Sequence, residues 1–243
     1  MGTISVLLDL LFVAIVAFCV WRGYKSGIIV SVFAMVALFV ALIAANITAT
    51  VYHSEFDGAI STFAGGIVDT AAADTLKFQG LDEDGNPDDR YAVLTEQEKR
   101  DVYTVSFNTL KRIGVCDRLA EQLSTETAAE VNIVGQEMRT TLTEKLSEKT
   151  AFSAVFFVVF ILIAIVFAAI GNIVNLSFEI PGAQKVNHAV GAGLAAVNGV
   201  VIVLFIACVL RYSGIILGRK AVDGTLIVKS LVNSNILANI FGI

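Results

Sequence analysis

Hydrophobic residues are concentrated in four long blocks, and polar residues dominate the chain between the second block and the third. The blocks are roughly residues 4–20, 28–47, 151–170 and 189–210. Each approaches the ~20 apolar residues with which an α-helix crosses the hydrocarbon core of a bilayer. The short polar segment "RGYKSG" separates the first two blocks, and "NLSFEIPGAQKVNH" separates the last two. The pattern predicts four transmembrane helices arranged as two hairpins.

The polar region between the hairpins has helical periodicity. The stretch "TEQEKRDVYTVSFNTLKRIG" has Thr95 and Glu98 at the spacing of a capping box and ends at Gly114, a residue type common just after a helix. "DRLAEQL" and "QEMRTTLTEKLSEKT" predict two more amphipathic helices, the second of which runs into the third block. The expected divisions are a first hairpin at 1–50, an insert at 51–150, a second hairpin at 151–212 and a tail at 213–243.

The tail predicts an amphipathic helix at the membrane interface. Lys229 lies on the polar side of this helix. The apolar side comprises Leu226, Ile227, Leu231, Ile236, Leu237 and Ile240.

Composition agrees with a membrane protein. Of the 243 residues 56% are hydrophobic and the mean hydropathy is +0.77, whereas soluble domains are nearer ~45–50% apolar. The first block has no preceding Lys or Arg and no small-residue cleavage site, so we expect a retained helix rather than a signal peptide. The fold class predicted is therefore an all-α integral membrane protein with a helical acidic extramembrane insert and an amphipathic C-terminal helix.

Charge is distributed unevenly along the chain. Residues 53–149 contain ten Lys and Arg against nineteen Asp and Glu, a net charge of −9, which leaves +4 on the remainder of a chain of net −5. An acidic insert has no electrostatic reason to bind nucleic acid. Arg22 and Lys25 in the short first connection favour a cytoplasmic position for it, which places the insert and both termini outside. The basic tail residues Arg211, Arg219 and Lys220 favour the opposite orientation.

Catalytic and metal-binding motifs are absent from the sequence. There is no G-x-S-x-G, no H-E-x-x-H, no C-x-x-C and only two histidines. In the acidic loop "LDEDGNPDDR", an EF-hand starting at Asp82 would have Pro87 where glycine is needed and Val93 where glutamate is needed. We therefore expect a protein that is not an enzyme and that has no cofactor or metal.

Asp9 is the one acidic residue inside a hydrophobic block. An ionised carboxylate at a helix centre costs ~2.5–3.5 kcal/mol on insertion scales, so it should face protein or water. Its partner could be a basic residue, an amide such as that of Asn198, or backbone donors. Two interpretations stay open: a proton or ion contact, and a polar anchor that is hydrogen-bonded near the helix end.

Two sets of small residues point to close backbone approaches. Gly23 and Gly27, with Arg22 and Lys25, form the tight first connection. The pattern favours a turn that sets topology; the alternative is a phosphate or ligand site, although no glycine-rich nucleotide motif is present. In the fourth block the small residues that recur every four positions are Gly191, Ala195 and Gly199. Such a face lets helices pack closely in lipid. Asn198 can hydrogen-bond across the contact. The face could pack within the chain, mediate self-association, or have no special role.

These features resemble the colicin V production protein (CvpA) family. Members of that family have an acid near the start of a first helix, then an R/K-G-x-x-x-G turn, matched here by Asp9 and Arg22–Gly27. A second motif, roughly D/N-R-x-x-G-x-x-x-G-x-x-x-G, is matched from Asn187 to Gly199, with Ala195 in place of the middle glycine. "LVNSNILANIF" is similar to the family's ending. The resemblance covers residues 1–50 and 151–243.

The chain departs from the family pattern at two basic positions, which are occupied by His188 and Asn198. The resemblance implies a multi-pass protein of the bacterial inner membrane that is tied to colicin V production. It implies no reaction.

Two functions remain as hypotheses. The first is an assembly or scaffold factor whose partners are the lipid bilayer, envelope or secretion proteins, or a second copy of the chain. The second is a small channel or transporter-like protein in which Asp9, Asn187 and Asn198 line a polar route.

Overall fold

The computed structural model describes residues 3–82, 84–175, 184–210 and 225–233, and these residues are helical apart from connecting turns. The α-helices are α1 (Thr3–Lys77), α2 (Val102–Ile113), α3 (Asp117–Glu130), α4 (Gln136–Asn175), α5 (Gln184–Leu210) and α6 (Ile227–Asn233), with a 3₁₀ turn at Glu98–Arg100. Contacts divide the chain into two compact units. One contains the described residues of 1–52, 152–209 and 223–243, and the other contains those of 53–151 and 210–222.

The first two hydrophobic blocks lie in one helix that is broken at a single residue. Arg22 to Ser26 are helical, and only Gly27 leaves the helical region, with φ 79° and ψ −171°. The predicted six-residue loop is therefore wrong. Arg, Tyr and Lys tolerate a helix, whereas a positive φ favours glycine, so the break is confined to Gly27.

Within the described residues, three helices are long and apolar enough to cross a membrane: Val6–Lys77, Gln136–Gly171 and Val186–Cys208. The predicted arrangement of four spans in two hairpins does not follow from these helix bounds. The second connection, at 176–183, lies outside the described residues.

The unit that contains the hydrophobic blocks has an alanine-rich interior and an apolar exterior. Ala41, Ala45 and Ala49 are fully buried at four-residue spacing on α1, and the rings of Phe160 and Phe205 join α4 to α5 with centroids 3.8 Å apart. More than half of the surface is exposed for many large apolar side chains, among them Leu7, Leu10, Phe18, Val158, Leu162 and Ile165. Such extensive apolar exposure is expected of helices whose solvent is lipid.

The other unit has a compact aliphatic core. Its buried cluster contains Leu94, Val102, Val105, Val131 and Met138, which come from α2, α4 and the segments beside α2 and α3. This packing explains why the helical periodicity of the insert could be recognised from the sequence.

Helix α2 begins later than its capping box predicts. The reciprocal hydrogen bonds of Thr95 and Glu98 are present, at 2.8 Å from Thr95 N to Glu98 Oε2 and 3.3 Å from Glu98 N to Thr95 Oγ1, but they precede the 3₁₀ turn. Asp101 caps α2 by accepting the Thr104 amide at 2.9 Å. Gly114, with φ 100°, ends the helix as expected.

The acidic loop is a turn held by its own carboxylates. Asp82 accepts hydrogen bonds from the amides of Asp84 and Asn86 at 3.0 and 2.8 Å. Asp88 pairs with Arg90, whose Nε lies 2.7 Å from Asp88 Oδ1. Chiefly because Arg90 donates to it, the pKa of the Asp88 carboxyl falls from 3.8 to about 2.

Replacing Arg90 by glutamine should raise the Asp88 pKa back towards 3.8. A depressed folded-state pKa stabilises the fold above pH 3.8, and that contribution is lost as the pH falls through about 2. Carboxyl-carbon NMR titration measures the Asp88 pKa directly. Lys99→Gln is the control, because Lys99 pairs with Glu96 instead. An unchanged Asp88 pKa in Arg90→Gln would show that the ion pair does not cause the shift.

Residues 227–233 of the predicted tail helix are described as α6, and their sides differ in burial. Val228 and Val232 are buried, at 0% and 2% exposed, while Leu226 and Ile227 are exposed. Leu226 and Ile227 belong to the side that the sequence predicts to face the membrane, and that interfacial helix stays a prediction. Ile236, Leu237 and Ile240, and the basic tail residues Arg211, Arg219 and Lys220, lie outside the described residues.

Candidate functional site: a helix crossing and its groove

Helix α5 crosses α1 beside the break at Gly27, and small residues allow the backbones to meet. A Cβ added at Gly191 would lie 2.6 Å from Gly23 O and 2.6 Å from Gly27 C. One added at Gly23 would lie 2.2 Å from Ala195 Cβ. Further along, a Cβ at Gly199 would lie 3.1 Å from Cys19 Cβ. The small-residue face predicted from the sequence thus packs against α1 of the same chain.

Asn187 and His188 bind the two backbone groups that the break exposes. In an uninterrupted helix the Ile28 amide would donate to the Tyr24 carbonyl, four residues earlier. Here the Ile28 amide donates to Asn187 Oδ1 at 2.7 Å, and His188 Nδ1 is hydrogen-bonded to the Tyr24 carbonyl. Because a carbonyl only accepts, this nitrogen carries the proton. Two adjacent residues of α5 therefore replace the hydrogen bond that Gly27 removes from α1.

Asn198 makes a second polar connection between the same helices. Its Nδ2 donates to the Ser31 carbonyl at 3.3 Å, and the side chain is buried, at 7% exposed. Ser31 Oγ in turn donates to the Gly27 carbonyl at 2.9 Å. A buried amide without such a partner would be costly in a membrane, so the bond favours one register of the crossing.

Asp9 caps the tail helix. Its Oδ2 accepts the Leu226 amide at 2.9 Å, and its Oδ1 accepts the amides of Ile227 and Val228 at 3.1 Å each. Thr225 Oγ1 accepts the Lys229 amide at 2.9 Å. The first amides of a helix have no partner within the helix, and the partial positive charge there attracts a carboxylate. Of the three kinds of partner considered for Asp9, the structure shows backbone donors.

A groove of about 420 Å³ adjoins the crossing, between both arms of α1 and the helices α4 and α5. Its lining is mostly apolar and includes Phe33, Ala37, Phe160 and Phe167. The polar lining residues are Cys19, Arg22, Ser26, Ser31 and Asn198. Among the described residues that line it, Arg22 is the one that is charged.

The proposed turn residues do different things in the structure. Gly23 and Gly27 make the close approach to α5, and Arg22 lines the groove. Lys25 does not line the groove, and its Nζ lies 4.3 Å from the centroid of the Trp21 ring.

The sequence did not identify the partners of the polar residues. Three of those partners are backbone groups, of Tyr24, Ile28 and Ser31, which carry no side-chain signature. Thr225, which caps α6, stands just before that helix. Threonine is a residue type preferred at helix N-caps, and this preference is the sequence signal by which the cap could have been found. The groove depends on the spacing of three helices and has no local sequence pattern.

The arrangement joins helices and offers no reactive constellation. Within the described residues, no group of three or more His, Cys, Asp or Glu side chains is placed to hold a metal ion. The polar side chains at the crossing are hydrogen-bonded to backbone of neighbouring helices.

The described residues form an all-helical structure, and three of the helices are able to cross a membrane. Small and amide side chains lock the crossing of α5 with α1. These features define an α-helical membrane protein. A family model described as colicin V production protein matches residues 118–234. A colicin V production protein family domain is thus detected at residues 118–234, which confirms the resemblance at this level. That family is not known as a family of enzymes. No curated protein and no solved structure matched the chain.

The matched range differs from the range over which the resemblance was noted. It begins in α3, inside the insert, and continues through α4, α5 and α6. It does not include α1, so the likeness of Asp9 and Arg22–Gly27 to the family rests on those residues alone.

Proposed function

We propose that this protein is a non-enzymatic assembly or scaffold factor of the bacterial inner membrane, required for production or export of a colicin V-type toxin. The α5–α1 crossing serves as a rigid platform. The insert, the tail or a second copy of the chain engages envelope or secretion partners.

The observation that carries this proposal is the use made of the polar groups in the hydrophobic blocks. Asn187 and Asn198 bind the backbone of α1, and Asp9 binds three amides at the start of α6. Groups that conduct ions must exchange partners with water or substrate. Groups that are committed to neighbouring backbone instead fix helix positions, which suits a scaffold better than a channel.

A scaffold role is tested in a colicin V-producing host in which this chain replaces the resident member of the family. Secreted toxin is measured as the zone of killing of sensitive cells. We expect wild type and Gly193→Ala to support secretion, because a Cβ at Gly193 meets nothing within 4 Å. Gly191→Leu, which forces the crossing apart, should abolish it. Full secretion with Gly191→Leu, or none with wild type, would contradict the proposal.

The orientation that goes with this proposal has the insert and both termini outside the cytoplasm. Cys116 lies in the insert and is partly exposed, whereas Cys208 is buried. Cys19 is also partly exposed but lies within the first hydrophobic block, beside Gly199 of α5, where an impermeant reagent should not reach it. A membrane-impermeant maleimide should therefore label spheroplasts of wild type, and Cys116→Ser should lose that labelling. Labelling that requires lysis of the inner membrane would reverse the orientation.

A further inference from the structure

The groove beside the helix crossing has the shape and polarity of a lipid site. Its volume, about 420 Å³, falls within the ~300–1,000 Å³ of pockets that hold small ligands. The lining residues Ala34 and Ala168 are exposed, so the groove opens on the outer surface of its helices. An occupant can therefore enter sideways from the bilayer.

The polar end of the groove lies at the level expected for lipid headgroups. Arg22 lies close in sequence to the break in α1, between Trp21 and Tyr24, which are each more than half exposed. Exposed Trp and Tyr residues on membrane helices mark the interface between hydrocarbon and water. Lys25 over the Trp21 ring adds a second cation at the same level. Arg22 is thus placed where phosphates lie.

The apolar part of the groove has the length of an acyl chain. From Gly27 to Leu38, the last α1 residue in the lining, α1 rises by about 16 Å at 1.5 Å per residue. Half of a ~30 Å hydrocarbon core is ~15 Å. Along this length the wall is mostly alanine and large apolar side chains from α1, α4 and α5, including Phe33, Phe160, Ala164 and Ile202, with Ser31 and Asn198 as polar exceptions.

Charge selects the class of lipid. None of the described residues that line the groove is acidic, and the chain outside the insert carries a net charge of +4. A guanidinium has five N–H donors and binds phosphate oxygens in pairs, so it can bind a phosphate in addition to an intramolecular partner. Ser26, in the lining close to Arg22, adds a hydroxyl donor.

We propose that this groove binds one anionic phospholipid, with the phosphate at Arg22 and one acyl chain along the apolar wall between α1, α4 and α5. The bound lipid fills the space beside the crossing and attaches the break in α1 to the headgroup layer. This role is independent of whether the protein assembles a toxin exporter.

The binding is measured by native mass spectrometry on the full chain, purified in detergent and titrated with phosphatidylglycerol or with phosphatidylcholine of the same acyl chains. We expect wild type to retain one phosphatidylglycerol and to bind phosphatidylcholine about tenfold more weakly, a difference of about 1.4 kcal/mol, because the choline cation offsets the phosphate charge that Arg22 attracts. Arg22→Gln should remove that preference and Arg22→Lys should keep most of it. Lys25→Gln is the matched control, because Lys25 lies at the same level outside the groove.

A second pair of variants tests the acyl-chain wall. Ala34→Phe fills the groove and should weaken phosphatidylglycerol binding, whereas Val36→Phe, at an exposed position outside the lining, should not. The proposal is overturned if Lys25→Gln loses as much preference as Arg22→Gln, or if Ala34→Phe binds as wild type does. It is equally overturned if glycerol phosphate competes as well as the whole lipid, or if Ala34→Phe abolishes a dimer that forms without lipid.

Discussion

Replacing Gly191 by leucine should separate α5 from α1 and give the largest loss of stability of any single substitution in the crossing. Even a Cβ at this position would lie 2.6 Å from Gly23 O and from Gly27 C. These are backbone atoms, and they cannot rotate away as a flexible side chain can. Overpacking costs about 1–3 kcal/mol when the surroundings can adjust. We expect Gly191→Ala near the upper end of that range and Gly191→Leu beyond it.

The measurement is thermal unfolding in detergent micelles, followed by circular dichroism. Gly193→Ala is the matched control in the same helix, two residues away. It should be neutral or more stable by up to about 1 kcal/mol, because alanine favours a helix more than glycine does. Equal unfolding temperatures for Gly191→Leu and Gly193→Ala would mean that α5 does not cross α1 at this point.

Replacing Asp9 by alanine should free the start of α6 while leaving the crossing intact. The substitution removes the acceptor of three amide hydrogen bonds and the negative charge at the helix N-terminus. Loss of a cap costs about 0.5–2 kcal/mol, and loss of the charge–dipole attraction adds about 0.3–1 kcal/mol. Together they should speed hydrogen exchange at the amides of Leu226, Ile227 and Val228 by about 4- to 150-fold.

Hydrogen exchange resolved by peptide is the measurement for this prediction. Thr225→Ala removes one cap hydrogen bond instead of three, so its effect on the same amides should be smaller. Amides of α5 should be unaffected by both changes. If Asp9→Ala leaves the exchange of residues 226–228 unchanged, the carboxylate does not hold the tail helix.

The sequence predicted what depends on local pattern. Helical periodicity identified α2, α3 and α4, and the fourth-residue spacing of Gly191, Ala195 and Gly199 identified a packing face. The length of an apolar run indicates whether a helix can span a membrane, so the class of protein could also be predicted.

What the sequence did not predict depends on distant partners. The break at Gly27 was expected as a six-residue loop, because polarity indicates a turn but does not show how many residues it needs. Asp9 and Leu226 are separated by 217 positions, and no periodicity links a carboxylate to amides so far along the chain.

The central claim is that the polar groups within the hydrophobic blocks hold helices together and do not line a route for ions. Its most direct test is proton flux into liposomes that contain the purified protein and a pH-sensitive dye, with a pH gradient and a membrane potential applied. The account predicts that wild type and Asp9→Asn both leak no faster than protein-free liposomes. A flux carried by wild type, abolished by Asp9→Asn and retained by Thr225→Ala would contradict it.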